Sequence, residues 1–172
     1  MSHRPPEKPD EPVIQWRTSG GLLANDDQTP DLEIRADGRV TVGERFGGGA
    51  EIHAEIPPDQ VQQLLQMILD EHDFFALDSA QIHERVEAER RRRTAAAASS
   101  DAATRDVPSG PPFVDAGVTH IAVAADGRRH DVSVQGLFAA AREYPEVPGV
   151  TAMREIETVL LGLAEELAGS GS

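Results

Sequence analysis

The tetrapeptide Ala-Asp-Gly-Arg occurs twice in this chain, at residues 36–39 and 125–128, and each copy lies between two stretches of alternating apolar residues. An Asp-Gly pair favours the positive φ angles of a tight hairpin turn, and alternation with a period of two is typical of strands that bury one face. The two copies therefore predict two β-hairpins and favour an antiparallel sheet over a parallel one, whose strands would alternate with crossover helices.

Further strands and two helices are predicted around these hairpins. Residues 13–17 and 50–56 read as strands. Pro57-Pro58-Asp59 opens a helix, because proline suits a first turn and an acid there complements the helix dipole. Apolar residues then recur every three or four positions in this helix and in a closing helix over about 151–167: Val61, Leu64, Leu65, Ile68 and Leu69 in the former, and Met153, Ile156, Val159, Leu160, Leu163 and Leu167 in the latter. The sequence thus predicts an α+β fold, an antiparallel sheet of four to six strands with two amphipathic helices packed on one face.

The 172 residues suffice for one domain. We expect residues 13–80 and 113–168 to form it, with 1–12 and 169–172 as disordered tails. Residues 81–112 are rich in charged residues and alanine and end in a short Pro/Gly run, which predicts a polar insertion or linker. Each half of the domain reads as hairpin then helix, and either an internal duplication or common turn chemistry would explain this.

Composition excludes several classes of function. The chain has no cysteine, which removes disulfides, thiolate metal sites and thiol nucleophiles. A net charge of −14 repels phosphate backbones and anionic lipid, so we expect no nucleic-acid partner. No stretch approaches the length of a membrane span. A single lysine, Lys8, among 16 basic residues suggests a GC-rich bacterial genome, and we expect a cytoplasmic protein.

Histidines and carboxylates are the candidates for a metal site or for acid/base chemistry. Glu51, His53 and Glu55 alternate and would share one face of a strand, a spacing compatible with metal binding. The simpler interpretation is a solvent face, and no cofactor or metal is predicted. The cluster at residues 70–73 is expected to be a solvated helix end, and the arginines at 90–93 to pair with nearby glutamates. Neither a phosphate-binding loop nor a nucleophile elbow is present in the sequence.

Several features in sequence order resemble the emfourin-like bacterial inhibitors of thermolysin-type metalloproteases. They are a first strand running into Ser19-Gly20-Gly21, the motif Phe74-Phe75-Ala76-Leu77, and Asp115 leading into a strand Thr119-x-Ile121-x-Val123. The run Asp126-Gly127-Arg128-Arg129-His130-Asp131-Val132-Ser133-Val134 and a terminal leucine-rich helix follow. This chain departs from the family in its added hairpin with a glycine run, in residues 81–112 and 137–149, and in Leu22-Leu23 after the glycines.

The resemblance implies a non-catalytic domain that places the segment Ser19, Gly20, Gly21 and Leu22 in a protease cleft. An exposed glycine-rich turn at a sheet edge presents backbone donors and acceptors to such a groove. The simpler alternative is that the two glycines only serve a tight turn. We therefore expect a non-catalytic protein-binding domain, with metalloprotease inhibition as its most specific form. The alternatives are a metal-dependent or acid/base enzyme built on Glu51, His53 and Glu55, and a self-associating domain.

Overall fold

A computed structural model of the protein describes residues 2–19, 30–98 and 117–170. The described strands form one six-stranded sheet in the order β4-β3-β2-β1-β5-β6, and every neighbouring pair is antiparallel. The strands are β1 (Pro12–Ser19), β2 (Leu32–Arg35), β3 (Arg39–Val42), β4 (Ile52–Glu55), β5 (Val118–Ala125) and β6 (Arg128–Gln135). Both predicted hairpins and the α+β class are confirmed.

The described residues form four α-helices beside the sheet, where the sequence predicted two. They are α1 (Pro58–Gln66), α2 (Ser79–Ala98), α3 (Leu137–Glu143) and α4 (Pro148–Ser170). A π-helical turn over Met67–Glu71 continues α1, and a short 3-10 turn over Phe74–Ala76 follows. No described helix is both long enough and apolar enough to span a bilayer.

The core lies between one face of the sheet and the helices. Apolar residues alternate into it from every central strand, as Ile14 and Trp16 do from β1. All five residues of the stripe predicted on the first helix are buried, and so is most of the stripe on α4. The exceptions are Val159, 42% of whose surface is exposed, and Leu167, which is only partly buried, whereas Ala164 is buried in the same stripe. The opposite sheet face, called the open face below, carries polar side chains that are half-buried or exposed, such as Gln15, Glu33 and Asp131.

The two identical tetrapeptides form different turns. Asp126 and Gly127 both have positive φ, 56° and 74°, and form a two-residue turn between β5 and β6. Between β2 and β3 three residues form the loop, and only the last, Gly38, has a positive φ, 91°. A Cβ at Gly38 would also lie 2.4 Å from the carbonyl oxygen of Ile56, so that position requires glycine.

The segment before β1 lies against the domain, which differs from the disordered tail expected for residues 1–12. The His3 ring contacts the carboxylates of Asp126 at 2.7 Å and Asp70 at 2.9 Å. The backbone N–H groups of Ala36 and Asp37, in the first hairpin turn, donate to carbonyls of this segment, and that of Asp126 in the second turn does so too. This segment has no apolar pattern, and it is held against the domain by backbone hydrogen bonds and by hydrogen bonds to charged side chains.

Helix α2 begins two residues before the predicted insertion and contributes to the core. Its Ile82 and Val86 are only 3% and 8% exposed. Ile82 lies directly against Gly149 at the start of α4, where a Cβ would come within 2.5 Å of its side chain. The Ser79 hydroxyl accepts the Ser133 N–H at 2.9 Å, so α2 covers the outer edge of β6. Two well-placed apolar residues thus anchor a helix whose composition is otherwise polar.

Candidate functional site

Residues 20–29 connect β1 to β2 at the end of the sheet opposite the two hairpin turns. Of the partner-binding residues predicted from sequence, Ser19 is the last residue of β1, whereas Gly20, Gly21 and Leu22 lie outside the described residues. The Asp31 N–H donates to the Trp16 carbonyl at 2.8 Å, which continues the β1–β2 pairing up to the connecting segment. Strand pairing therefore fixes the separation of the segment's two ends.

The Asp31 side chain holds one end of this segment. Although Asp31 is only 2% exposed, its carboxylate accepts the Thr18 N–H at 2.8 Å and the Thr18 hydroxyl at 2.9 Å. The Arg45 guanidinium lies 3.4 Å from the same oxygen and stacks over the Phe46 ring, 4.8 Å from its centroid. A buried carboxylate with three such partners is well satisfied. The Asp31 carboxylate therefore ties the residue that precedes β2 to the end of β1.

His120 holds the other end. Its Nε2 lies 2.8 Å from the Ser19 hydroxyl and its Nδ1 lies 2.7 Å from the Ser133 hydroxyl. Strand pairing creates this row, because His120 on β5 faces Arg17 of β1 and Ser133 of β6, and Ser19 is the next residue on the same side of β1. The three side chains therefore form a line across three strands on the open face of the sheet.

The charge state of His120 suits this role. Burial of the ring lowers the pKa of His120 below its ordinary value, and the nearby Arg17 cation lowers that pKa further, while Asp131 opposes the shift. At neutral pH the ring is thus uncharged, with one nitrogen donating and the other accepting. A serine hydroxyl can fill either role. Both hydrogen bonds are therefore satisfied without placing a charge beside Ser19.

A second network stiffens the same strands from the core side. The Glu157 carboxylate of α4 is 7% exposed and accepts the Thr119 hydroxyl at 2.7 Å and the Trp16 indole N–H at 3.3 Å. Its other oxygen accepts a hydrogen bond from Arg154 at 2.7 Å. These bonds join β1, β5 and α4 directly behind Ser19 and His120. The base of the connecting segment is consequently supported from both faces of the sheet.

The Ser19–His120 pair has the spacing of a nucleophile and its base, but its surroundings do not suit acyl transfer. In catalytic serine sites the second histidine nitrogen meets a group that orients the ring and stabilises the imidazolium formed by proton transfer. Here that nitrogen faces the neutral Ser133 hydroxyl. The arrangement is better suited to holding the Ser19 hydroxyl in one position than to removing its proton.

The metal or acid/base candidates Glu51, His53 and Glu55 lie at the far edge of the sheet. His53 and Glu51 approach to 3.8 Å, but the His53 side chain is 73% exposed. Glu55 lies opposite Arg39 in the β3–β4 register. Across residues 2–19, 30–98 and 117–170 no group of three potential ligands is arranged to hold a metal ion. The geometry is that of a solvent face, and the enzymatic alternative gains no support from it.

The other charged clusters have structural contacts. Within the cluster at residues 70–73, Asp70 binds His3, and His72 lies 3.3 Å from Glu155 of α4. In the arginine run, Arg90 and Arg92 pair with glutamates three residues earlier in α2. Arg93 reaches further, to Glu146 and over the Tyr144 ring at 4.6 Å, and so fastens α2 to the loop before α4.

Sequence reasoning identified Ser19 but missed Thr18, Asp31 and His120. The alternation in Thr119-His120-Ile121 places His120 on a polar face, which is the only local signal for it. That His120 meets Ser19 depends on the pairing of β1 with β5, about a hundred residues apart in sequence, as the separation of 101 shows. No local pattern indicates that pairing.

No protein-family model, curated protein or solved structure matches this chain. The contacts of its own residues therefore carry the functional argument.

Proposed function

We propose that this chain is a non-catalytic protein-binding domain that inhibits a thermolysin-type metalloprotease, with Ser19, Gly20, Gly21 and Leu22 entering the protease cleft. The observation that carries the proposal is the frame at the ends of residues 20–29. Asp31 holds Thr18, and His120 holds Ser19, through side-chain hydrogen bonds of 2.8–2.9 Å.

These hydrogen bonds at both ends of the segment benefit a chain that binds a partner more than a chain that only reverses direction. Binding costs free energy for every side chain and loop that must be ordered, and fixing the ends of a binding segment beforehand reduces that cost. Glycines beside Ser19 let the backbone approach a partner closely, because they have no side chain to exclude it. A tight turn alone would not need a buried carboxylate and a desolvated histidine at its base.

The resemblance to the emfourin-like inhibitors supports the same site. The Thr119-x-Ile121-x-Val123 motif lies on β5, the strand that pairs with β1 and carries His120. The run from Asp126 to Val134 forms the second hairpin, with Ser133 as the second partner of His120. The two motifs thus lie on β5 and β6, and the parts of them nearest to Ser19 supply His120 and Ser133. An acidic, cysteine-free chain is compatible with a bacterial cytoplasmic location, and that location is part of the proposal.

The test is a protease assay with purified thermolysin-type metalloproteases and a peptide substrate. We expect the wild-type protein to inhibit at least one such enzyme and Gly20→Arg/Gly21→Arg to lose inhibition, because two arginines beside Ser19 obstruct entry into a cleft. Gly162→Arg/Gly169→Arg is the matched control. It adds the same two charges on α4, where a Cβ meets nothing within 4 Å.

Circular dichroism and thermal unfolding would establish that each variant is folded. Inhibition lost in the loop variant and kept in the α4 variant supports the site. Equal inhibition by all three folded proteins would remove residues 19–22 from the interface. Absence of inhibition by the wild type across the enzyme class would overturn the proposed function itself.

A further inference from the structure

A trough runs along β5 on the open face of the sheet, next to Ser19. Ala122 presents only a methyl group there, whereas the neighbouring strands carry longer side chains at the same level. The result is a depression of about 370 Å³. Its walls include Gln15 and Arg17 from β1, and Arg129 and Asp131 from β6. His120 closes the end nearest to the connecting segment.

The cations in this trough differ in how they are paired. The Arg129 guanidinium donates to the Gln15 amide oxygen at 3.1 Å, and Gln15 in turn donates to Glu33. Glu33 also accepts from Arg35 at 3.1 Å. Within the part of the chain that the structure describes, the Arg17 side chain makes no hydrogen bond or ion pair, although it is half-buried. Among residues 2–19, 30–98 and 117–170, no carboxylate pairs with Arg17.

The trough has more cations than carboxylates in its walls although the chain as a whole is acidic, a balance that it shares with a depression beside β3 and β4. The whole chain carries −14, whereas the walls of the trough bear two arginines, Arg17 and Arg129, against one exposed carboxylate, Asp131. An anionic group that enters the trough meets these two cations and one carboxylate. The lowered pKa of His120, caused in part by Arg17, reflects the same local excess of positive charge.

We infer that this trough receives an acidic side chain of the protease bound by the neighbouring segment, with Arg17 as its counter-ion. The inference rests on the proposed function, and it adds a second contact that the connecting segment does not supply. Arg17 lies two residues before Ser19 on the same side of β1. A partner bound at Ser19 would therefore also lie above the trough. An aspartate or glutamate fits because a guanidinium binds a carboxylate through two parallel hydrogen bonds.

Asp131 makes it possible to test whether charges of opposite sign in the trough have opposite effects on inhibition. Because it lines the same trough as Arg17, its charge opposes the entry of a carboxylate. Removing the cation should therefore weaken inhibition, and removing the anion should strengthen it. A trough that only contributes shape would respond to neither charge in this ordered way.

The experiment measures inhibition constants for a protease that the wild type inhibits, using Arg17→Gln, Arg17→Glu, Asp131→Asn and the control Arg91→Glu. Arg91 is exposed on α2, so its substitution changes the net charge as Arg17→Glu does, away from the sheet. We expect the inhibition constant to rise about fivefold or more for Arg17→Gln and more for Arg17→Glu. It should fall for Asp131→Asn and stay within about twofold for Arg91→Glu.

Salt provides the second readout, because an ion pair at a half-buried site is screened as ionic strength rises. The wild type should lose affinity with salt more steeply than Arg17→Gln does. If Arg17→Gln and Arg17→Glu both have the same inhibition constant as the wild type, the inference is overturned while the proposed function stands. Equal losses for Arg17→Glu and Arg91→Glu would also overturn it, since net charge alone would then explain both.

Discussion

Replacing Asp31 with alanine tests how firmly the base of the connecting segment is held. The substitution removes the acceptor of the Thr18 N–H at 2.8 Å and of the Thr18 hydroxyl at 2.9 Å. A hydrogen bond to a charged group contributes about 1.5–3 kcal/mol. Because the two bonds share one carboxylate and Thr18 is half-buried, water replaces part of the loss. We therefore expect a decrease of about 2–3 kcal/mol in the free energy of unfolding.

For a domain of this size such a loss lowers Tm by about 4–12 °C, since each kcal/mol corresponds to about 2–4 °C. Urea denaturation of the wild type, Asp31→Ala, Thr18→Val and the double variant isolates the hydroxyl bond. Its coupling energy should be about 1 kcal/mol. A coupling energy near zero, with Asp31→Ala still destabilising, would show that the Thr18 hydroxyl does not bind Asp31 in solution. No destabilisation by Asp31→Ala would refute the frame altogether.

Four further substitutions test the fold. Leu65→Ala and Leu160→Ala should each lower the free energy of unfolding by about 2–5 kcal/mol, because both side chains are fully buried, and small effects in urea denaturation would contradict the assigned helix faces. Ile82→Ala should lower the free energy of unfolding by a similar amount, about 2–5 kcal/mol, because Ile82 fills the contact between α2 and α4. An unchanged free energy of unfolding would show that α2 is an insertion that does not stabilise the core. The hydrogen bond to Asp126 is the chief reason that the pKa of His3 is raised above its ordinary 6.5. The extra stability of the wild type relative to His3→Gln should therefore be complete below about pH 6.5, and it should decline as the pH rises through the raised pKa. Thermal unfolding of the two proteins against pH checks this, and a stability difference that grows with pH would contradict it.

The sheet was predictable because its signals are local. Alternating apolar residues around Asp-Gly define each hairpin within one continuous stretch, Leu32–Val42 for the first and Val118–Gln135 for the second, and both hairpins are present. The same tetrapeptide did not indicate that one turn has two residues and the other three. That difference depends on the close approach of Ile56 to Gly38, which is a tertiary contact. The helix over Leu137–Glu143 was missed because seven residues are too few to display a periodic stripe.

Segments held by few contacts were the hardest to predict. The chain before β1 has no apolar pattern, yet His3 and backbone hydrogen bonds attach it to both hairpin turns. Among the residues of α2 whose burial is described, the buried apolar ones are Ile82 and Val86, which is too weak a stripe for periodicity to reveal. At the site, the strand end at Ser19 was visible in the sequence. Its partners Asp31 and His120 were not, because strand pairing brings them there.

Competition for the protease cleft tests the central claim most directly. A thermolysin-type metalloprotease of known active-site concentration is titrated with the protein, alone and in the presence of a small peptide-like inhibitor that occupies the cleft. We expect complete inhibition at one protein per enzyme and an apparent affinity that falls in proportion to the small inhibitor's occupancy. Simultaneous binding of both, with an unchanged affinity for the protein, would contradict the claim that residues 19–22 enter the cleft.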